Sequence, residues 1–334
     1  NSITVMDIIA YGGAAVAMIL GLLDFTAGNI TVYQMLFIVF LAADFFLPLR
    51  ALGSAFHVAM NGIGAAKKIE SYLNSFSVEF GAEELVAVNQ VIFKDVSFNY
   101  EDEKEVLTEF NLTINRGDFI ALVGDSGSGK STVALLLTGH ERVRSGQILL
   151  AGKNIENYNF FALNEKIRSV SYDSRIFKGT IRSNLLLAKP LASDKELEEA
   201  LKRADFLNFT QENGGLDYPL EEGGNNLSGG EKQRLALARL FLTEADIYIF
   251  DEALSSIDGF SETLIMAYIF ELKKKAAVLF ITHRLEVIKR ADQIYLLQNG
   301  SSEMGTHQEL LALKKNYYKM YQTQSKTLEG GDKA

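Results

Sequence analysis

A glycine-rich loop at Gly124–Ser131 carries residue types suited to holding phosphate groups. It reads GDSGSGKS, matches the pattern G-x-x-x-x-G-K-S, and lies between a predicted strand and a predicted helix. Glycines in such a loop let backbone N–H groups turn toward phosphate oxygens, and the start of the helix adds a positive end. Lys130 would reach the β- and γ-phosphates, and the Ser131 hydroxyl would bind Mg²⁺. The predicted ATP-binding residues of this loop are Gly124, Asp125, Ser126, Gly127, Ser128, Gly129, Lys130, Ser131 and Thr132.

Two adjacent acids follow the apolar run Ile247–Phe250, which is typical of a fully buried strand. Asp251 would hold Mg²⁺, and Glu252 would polarise the attacking water. A strand-terminal acid pair is weak by itself, because such pairs also occur in solvated turns. With the phosphate loop upstream, it predicts ATP hydrolysis by positioning and electrostatic stabilisation, with Mg²⁺ as cofactor.

The segment Leu227–Glu231 (LSGGE) resembles the signature of ATP-binding cassette (ABC) transporters, and residues 91–322 resemble a whole nucleotide-binding domain of that family. The Ser228 hydroxyl and the next two amides lie at a predicted helix start, which makes a second phosphate cradle. In the family this cradle serves the ATP bound by the partner subunit. The resemblance therefore implies a head-to-tail dimer with two ATP molecules at its interface. The ATP-binding residues implied here are Ser228, Gly229, Gly230 and Glu231.

The resemblance also implies roles for single residues. Tyr100 resembles the aromatic residue that stacks on adenine, although a core tyrosine at a strand end is the alternative. His283 resembles the switch histidine that contacts the γ-phosphate, and with Glu252 and Lys130 it completes the predicted catalytic set. The loop Ser255–Asp258 resembles the one that communicates across the dimer. Its implied residues are Ser256 and Asp258.

Two further segments resemble exporter elements, and one loop departs from the family. Glu221–Gly224 resembles an element that touches the membrane domain, and Phe177–Arg182 also fits the exporter pattern. The family has a glutamine upstream of Phe177 that binds Mg²⁺, but Ser171–Arg175 contains none. We therefore predict that residues are absent between Tyr172 and Asp173, and that the stretch Gly300–Glu303 is one residue short.

Short apolar runs rich in β-branched and aromatic residues alternate with helical segments from Val91 onward. This alternation predicts an α/β domain around a largely parallel sheet, and Lys130–Leu137 is predicted as a helix. The predicted strands are Val91–Tyr100, Phe110–Ile114, Phe119–Val123, Ile247–Phe250, Val278–Ile281 and Ile294–Leu297.

The start of the chain differs in composition from the remainder. Residues 1–64 contain only four charged side chains, whereas charges are frequent from Lys67 onward. Ile3–Leu23 and Val32–Leu49 are long apolar runs joined by a short polar turn, and a bilayer-spanning helix needs about 20 such residues. They predict a membrane hairpin whose second helix continues past Pro48 to Tyr72. A pair of buried helices in a soluble core is the alternative.

Basic residues predict the orientation of this hairpin. Arg50, Lys67 and Lys68 follow the second run, while the turn has no base. By the positive-inside tendency the turn is external and the domain that follows is cytoplasmic. Together with the family resemblance, this implies a multi-pass protein of the bacterial plasma membrane. Asp44 lies within the second run and is a candidate membrane site; the alternatives are a structural pairing with a residue such as Arg50 and a position that faces water inside the dimer.

The net charge of −9 argues against nucleic acid as a partner, because nucleic-acid-binding proteins usually carry a basic face. The absence of cysteine excludes disulfides and thiolate zinc sites. The remaining expected partners are membrane lipid, an exported substrate and a second half-transporter, identical or different.

The predicted fold is a helical transmembrane segment followed by an α/β ABC nucleotide-binding domain. Its divisions are a membrane part (1–72), a linker (73–90), the nucleotide-binding domain (91–322) and a tail (323–334). Exporter halves of this family have six membrane helices, and the two predicted here resemble the last two.

The predicted function is ATP-driven export, and the segment 48–62 suggests a substrate. It is similar to the bacterial heterodimeric exporters linked to cytochrome bd assembly, which handle cysteine and glutathione. Multidrug or lipid export, a soluble ABC ATPase and a P-loop kinase for a small molecule remain alternatives.

Overall fold

A computed structural model describes residues 2–75, 81–100, 105–298 and 301–331. The chain divides into two units, Asn1–Glu79 and Phe80–Ala334. The first unit is a pair of helices, α1 (Ser2–Thr26) and α2 (Val32–Ser75). Pro48 lies inside α2, so the predicted continuation of this helix past the proline is confirmed.

Helix α1 includes Ile8–Thr26, which is long and apolar enough to cross a membrane. Within the described residues it is the only helix that meets this test, and the apolar stretch of α2, Val32–Ala42, is shorter. Most apolar side chains of α1 are exposed, as expected for a surface that contacts lipid. The second predicted span therefore stays a prediction.

The second unit contains twelve described strands. β1 and β2 form an antiparallel pair, and β4 pairs with the other edge of β1. The strands are β1 (Gln90–Phe98), β2 (Leu107–Asn115), β3 (Phe119–Gly124), β4 (Ser145–Leu150), β5 (Lys153–Asn154), β6 (Ile167–Ser171), β7 (Gly179–Thr180), β8 (Pro219–Leu220), β9 (Ile247–Asp251), β10 (Ala277–Ile281), β11 (Gln293–Gln298) and β12 (Ser301–Gly305).

The central sheet has the strand order β12-β11-β3-β10-β9-β6, and only β12 runs antiparallel to its neighbour. This arrangement confirms the predicted largely parallel sheet. Strands β3 and β10 are buried along their whole length, because both faces of the central sheet are covered. The separate antiparallel sheet β2-β1-β4-β5 was not predicted, since only its first two strands have a clear apolar pattern.

Nine α-helices are described in the second unit, and α3 has the predicted bounds. They are α3 (Lys130–Leu137), α4 (Phe160–Lys166), α5 (Ile181–Leu186), α6 (Asp194–Arg203), α7 (Leu207–Glu212), α8 (Gly229–Phe241), α9 (Gly259–Leu272), α10 (His307–Leu313) and α11 (Asn316–Gly331). Helix α11 crosses the predicted boundary between domain and tail at residue 323.

Two hydrophobic clusters form the core of this unit. One packs side chains from the helices α5, α6, α8 and α9 against one face of the central sheet. The other lies between the opposite face and the antiparallel sheet, and its helical members are α3 and Leu163 of α4. Because alternate side chains of a strand point to opposite faces, β3 contributes Ala121 to the first cluster and Leu122 to the second.

Candidate active site

The loop between β3 and α3 has a backbone that needs glycine at two points. Gly124 has φ 152°, and a Cβ there would lie 2.2 Å from the carbonyl oxygen of Leu297. Gly129 has φ 97°, and its Cβ would lie 2.9 Å from Cγ1 of Val106. The neighbouring strand β11 and the residues before β2 therefore leave no room for side chains. The predicted phosphate-binding residues from Gly124 to Thr132 form this strand–loop–helix turn.

Lys130 begins α3 and is buried beneath the loop, with 8% of its surface exposed. Its Nζ donates hydrogen bonds to the carbonyl oxygens of Gly124 at 3.0 Å and Asp125 at 2.8 Å. Burial lowers the pKa of the ammonium, and the carboxylates of Glu252, Asp251 and Asp125 oppose that shift. These carboxylates act on the buried ammonium only from a distance. A bound phosphate would give it a negative partner in direct contact.

Asp251 ends β9 next to Ser131, with which it shares a hydrogen bond. Burial raises the pKa of the Asp251 carboxyl, and the Ser131 hydroxyl opposes the shift. Its Oδ1 is buried with no hydrogen-bond partner in the described part of the chain. A carboxylate oxygen without a partner beside a hydroxyl fits Mg²⁺, which typically takes one or two carboxylates and completes its shell with substrate phosphate and water.

The described residues contain no cluster of three or more His, Asp or Glu side chains that could hold a metal ion. The residues that would hold Mg²⁺ are those predicted, Ser131 and Asp251.

Glu252 and His283 face each other across the ends of β9 and β10. Nδ1 of His283 lies 3.0 Å from Oε1 and 2.9 Å from Oε2 of Glu252. Glu252 has φ 51°, a left-handed conformation that is uncommon outside glycine, and its N–H donates to the carbonyl oxygen of Ile281. That interstrand hydrogen bond holds the strained residue, so the fold fixes this carboxylate next to the predicted switch histidine.

Tyr100 lies two residues beyond the end of β1, so its predicted place within the strand is wrong by two residues. Its hydroxyl lies 3.1 Å from Oγ1 of Thr132, in the helix that follows the phosphate loop. Its ring meets the ring of Phe98 edge-on at 4.8 Å, and 38% of its surface is exposed. The tyrosine thus stands at the loop with part of its ring open, as the predicted adenine contact requires.

The signature residues form the start of α8. Ser228 is the N-cap, its Oγ accepts from the N–H of Glu231 at 3.3 Å, and the Glu231 carboxylate accepts from the N–H of Ser228 at 2.7 Å. Glu231 is therefore a capping residue. The first N–H groups of a helix have no intrahelical partners, so the amides of Gly229 and Gly230 suit an anion.

Two residues that sequence reasoning missed join the signature helix to the 255–258 loop. Gln233 Nε2 donates to the hydroxyl of Ser255 at 3.0 Å, and its Oε1 accepts from the N–H of Ser256 at 2.9 Å. Arg234 contacts Asp258 at 3.4 Å. Asp258 caps α9, and the N–H and hydroxyl of Ser261 lower the pKa of its carboxyl. The only sign of Gln233 and Arg234 in the sequence was their position two and three residues after the signature.

The two segments that resemble exporter elements, Phe177–Arg182 and Glu221–Gly224, lie side by side. Strand β7, within Phe177–Arg182, pairs with β8, just before Glu221–Gly224. Gly224 has φ 63°, and a Cβ there would lie 3.1 Å from Cβ of Ile176. Asn184 is buried and ties the first segment together through the backbone of Phe177. The sequence separated these segments by about forty residues, and the structure brings them together.

The predicted absence of residues between Tyr172 and Asp173 stays a prediction. In this chain, the N–H of Ser174 donates to the carbonyl oxygen of Ser171 at 3.2 Å, so a turn follows β6. Tyr172 is anchored by its N–H to the carbonyl oxygen of Asp251. The loop beside the predicted Mg²⁺ ligands Ser131 and Asp251 therefore presents a tyrosine and an aspartate, and no glutamine. The second predicted gap begins at residue 300, outside the described residues.

This chain is similar to known ABC transporter proteins. The family model of the ABC transporter matches residues 107–255. The chain is 42% identical, over 98% of its length, to an uncharacterized ABC transporter ATP-binding protein of Haemophilus influenzae and spans 59% of that protein. It is 42% identical, over 69% of its length, to a putative multidrug export ATP-binding/permease protein of Staphylococcus aureus and spans 40% of it.

Among solved structures, a bacterial Atm1-family ABC exporter with ATP bound is similar to this chain. The TM-score is 0.74, the sequence identity is 30%, and the match covers 93% of this chain and 55% of the exporter. The chain thus spans between two fifths and three fifths of the length of these relatives.

Proposed function

We propose that the protein is one half of an ATP-driven exporter. The premise is that the second unit is an ABC transporter ATPase domain, which follows a helical N-terminal segment. The observation that carries the proposal is the contact of His283 with Glu252 at 3.0 and 2.9 Å. Beside it stand Asp251 and the phosphate loop. This arrangement suits phosphoryl transfer to water, in which catalysis is mostly positioning and charge stabilisation.

In this mechanism each residue has a separate task. Lys130 exchanges its two backbone carbonyl partners for phosphate oxygens and neutralises their charge. Glu252 orients the attacking water and draws on its proton, while His283 holds the Glu252 carboxylate in place and contacts the γ-phosphate. Ser131 and Asp251 would hold Mg²⁺, which would neutralise charge at the phosphates when bound. Tyr100 stacks on the adenine.

We propose that hydrolysis occurs at a dimer interface. The start of α8 offers its first amides and the Ser228 hydroxyl as an anion cradle. Gln233, on the same helix, hydrogen-bonds to the 255–258 loop that follows Glu252 and so connects the cradle to that loop. A cradle connected in this way suits the γ-phosphate of ATP bound to a partner copy or a related half-transporter. Closure on two ATP molecules would then drive the membrane helices between inward- and outward-facing states.

The proposed exported substrate is a small thiol such as cysteine or glutathione, on the strength of the segment 48–62. Multidrug export is the second candidate, and the similarity to the putative multidrug export protein of Staphylococcus aureus favours it. The proposed location is the plasma membrane, with the ATPase domain on the cytoplasmic side. Asp44, whose side chain is exposed on α2, is the proposed residue of the membrane path.

Reconstitution in lipid vesicles tests this proposal. ATP hydrolysis should require Mg²⁺, and cysteine, glutathione, haem, lipids and drugs should be compared as stimulants and as transported compounds. Hydrolysis without transport of any compound, by a protein that stays in the aqueous fraction, would indicate a soluble ABC ATPase instead. A phosphorylated small molecule as product would indicate a kinase.

A further inference from the structure

The backbone that carries His283 is held by a side chain from the last described helix. Oε1 of Gln324, on α11, accepts from the N–H of Leu285 at 3.0 Å. Its Nε2 donates to the carbonyl oxygen of His283. The side-chain amide of Gln324 therefore hydrogen-bonds to the backbone on both sides of Arg284.

Two other contacts fix the same segment. Arg284 forms two hydrogen bonds of 2.8 Å with the carboxylate of Glu262, which is buried in α9. Burial raises the pKa of the Glu262 carboxyl, and the charge of Arg284 opposes the shift. The N–H of Arg284 also donates to the hydroxyl of Thr282. The segment is therefore held by α11, by α9 and by its own Thr282, and Nδ1 of His283 contacts Glu252.

Helix α11 is itself firmly seated, so it can transmit position to Gln324. The carboxylate of Glu303 accepts from the N–H groups of Asn316 and Tyr317, at 3.1 and 3.3 Å, at the start of the helix. Tyr317 has no exposed surface, and its hydroxyl lies 2.8 Å from Nδ1 of His307. One turn later, Lys289 lies over the ring of Tyr321 at 5.3 Å.

We infer that Gln324 is a positioning residue for hydrolysis, and that docking of α11 sets the place of His283. The inference rests on the proposed ATPase function. Sequence patterns offer no hint of it, because Gln324 lies in a polar stretch without a motif. The docking of α11 would thereby affect the rate of hydrolysis through the position of His283. A small displacement of a catalytic group can lower a rate by a large factor.

The test compares Gln324→Ala and Gln324→Glu with the control Gln322→Ala, an exposed glutamine of the same helix. Gln324→Ala removes both hydrogen bonds, and we expect kcat for ATP to fall about tenfold while KM stays within about twofold. Gln324→Glu keeps the acceptor for Leu285 but sets a carboxylate against the carbonyl of His283, so it should also lose activity. Gln322→Ala should retain the wild-type kcat.

Two readouts separate positioning from a general structural effect. In a His283→Ala background, measured by single-turnover hydrolysis, Gln324→Ala should have no further effect, because both changes act through one side chain. Amide exchange in the segment 282–288 should accelerate in Gln324→Ala and not in Gln322→Ala. The exchange measurement does not require activity.

An unchanged kcat in Gln324→Ala, or an equal loss with and without His283, would overturn the inference. Unaltered exchange in the segment 282–288 would do so as well. Failure of the proposed function looks different, because wild-type protein would then not hydrolyse ATP at all. If Gln324→Ala does not fold, Gln324→Glu carries the same comparison with a smaller structural change.

Discussion

Replacing Glu252 by Gln is the sharpest perturbation of the proposed active site. Glutamine has the same size, and its Oε1 can still accept a hydrogen bond from Nδ1 of His283, so one of the two contacts at 3.0 and 2.9 Å can survive. The structural cost is limited to one hydrogen bond, about 0.5–1.5 kcal/mol. The change therefore removes charge and proton affinity and leaves the shape of the site.

The expected loss follows from the role of the carboxylate. A positioned base contributes roughly 10²- to 10⁴-fold to rate, which corresponds to about 2.7–5.4 kcal/mol of activation free energy. ATP binding should stay the same or strengthen, because Glu252 is a negative charge close to Lys130 and therefore close to the bound phosphates. We expect kcat to fall by that factor and the protein to accumulate with ATP bound.

The assay measures steady-state hydrolysis and, separately, equilibrium binding of ATP. Glu271→Gln is the matched control, because this carboxylate is exposed on α9 and pairs with Lys274. The control should match wild type in both measurements. Hydrolysis by Glu252→Gln at the wild-type rate, with normal ATP affinity, would refute the assignment of this carboxylate.

Three other changes test separate parts of the molecule. Lys130→Ala should weaken ATP binding about ten- to a hundredfold, because charged hydrogen bonds to phosphate are lost; unchanged affinity in equilibrium titration would exclude this loop. Gly230→Ala should lower the melting temperature by a few degrees, because its Cβ would lie 2.9 Å from the carbonyl oxygen of Ser256, whereas Gly229→Ala meets only ordinary contacts at 3.5 Å and should melt like wild type. Asp44→Asn should change transport or substrate-stimulated hydrolysis more than basal hydrolysis, since Asp44 lies about 18 Å along α2 from its first residue, Val32. A transport rate in vesicles equal to that of the wild type would favour a structural role.

The sequence was sufficient for the features that depend on local pattern. Continuous apolar runs identified β3, β9, β10 and β11, because strands buried on both faces have no polar alternation. The glycine-rich loop and its helix were predictable together, since the backbone conformation at Gly129 excludes other residues. The roles of Tyr100 and His283 depended on family resemblance, and their geometry is compatible with those roles.

Tertiary structure alone decided which distant residues meet. No pattern within the sequence places Gln233 against Ser256, Gln324 against the backbone of His283, or β7 beside β8. These contacts join segments that are far apart in the chain, and a polar side chain gives no local sign of the backbone group it will bind. Residue types and spacing thus determined the chemistry available to this protein, while packing determined how its groups are held.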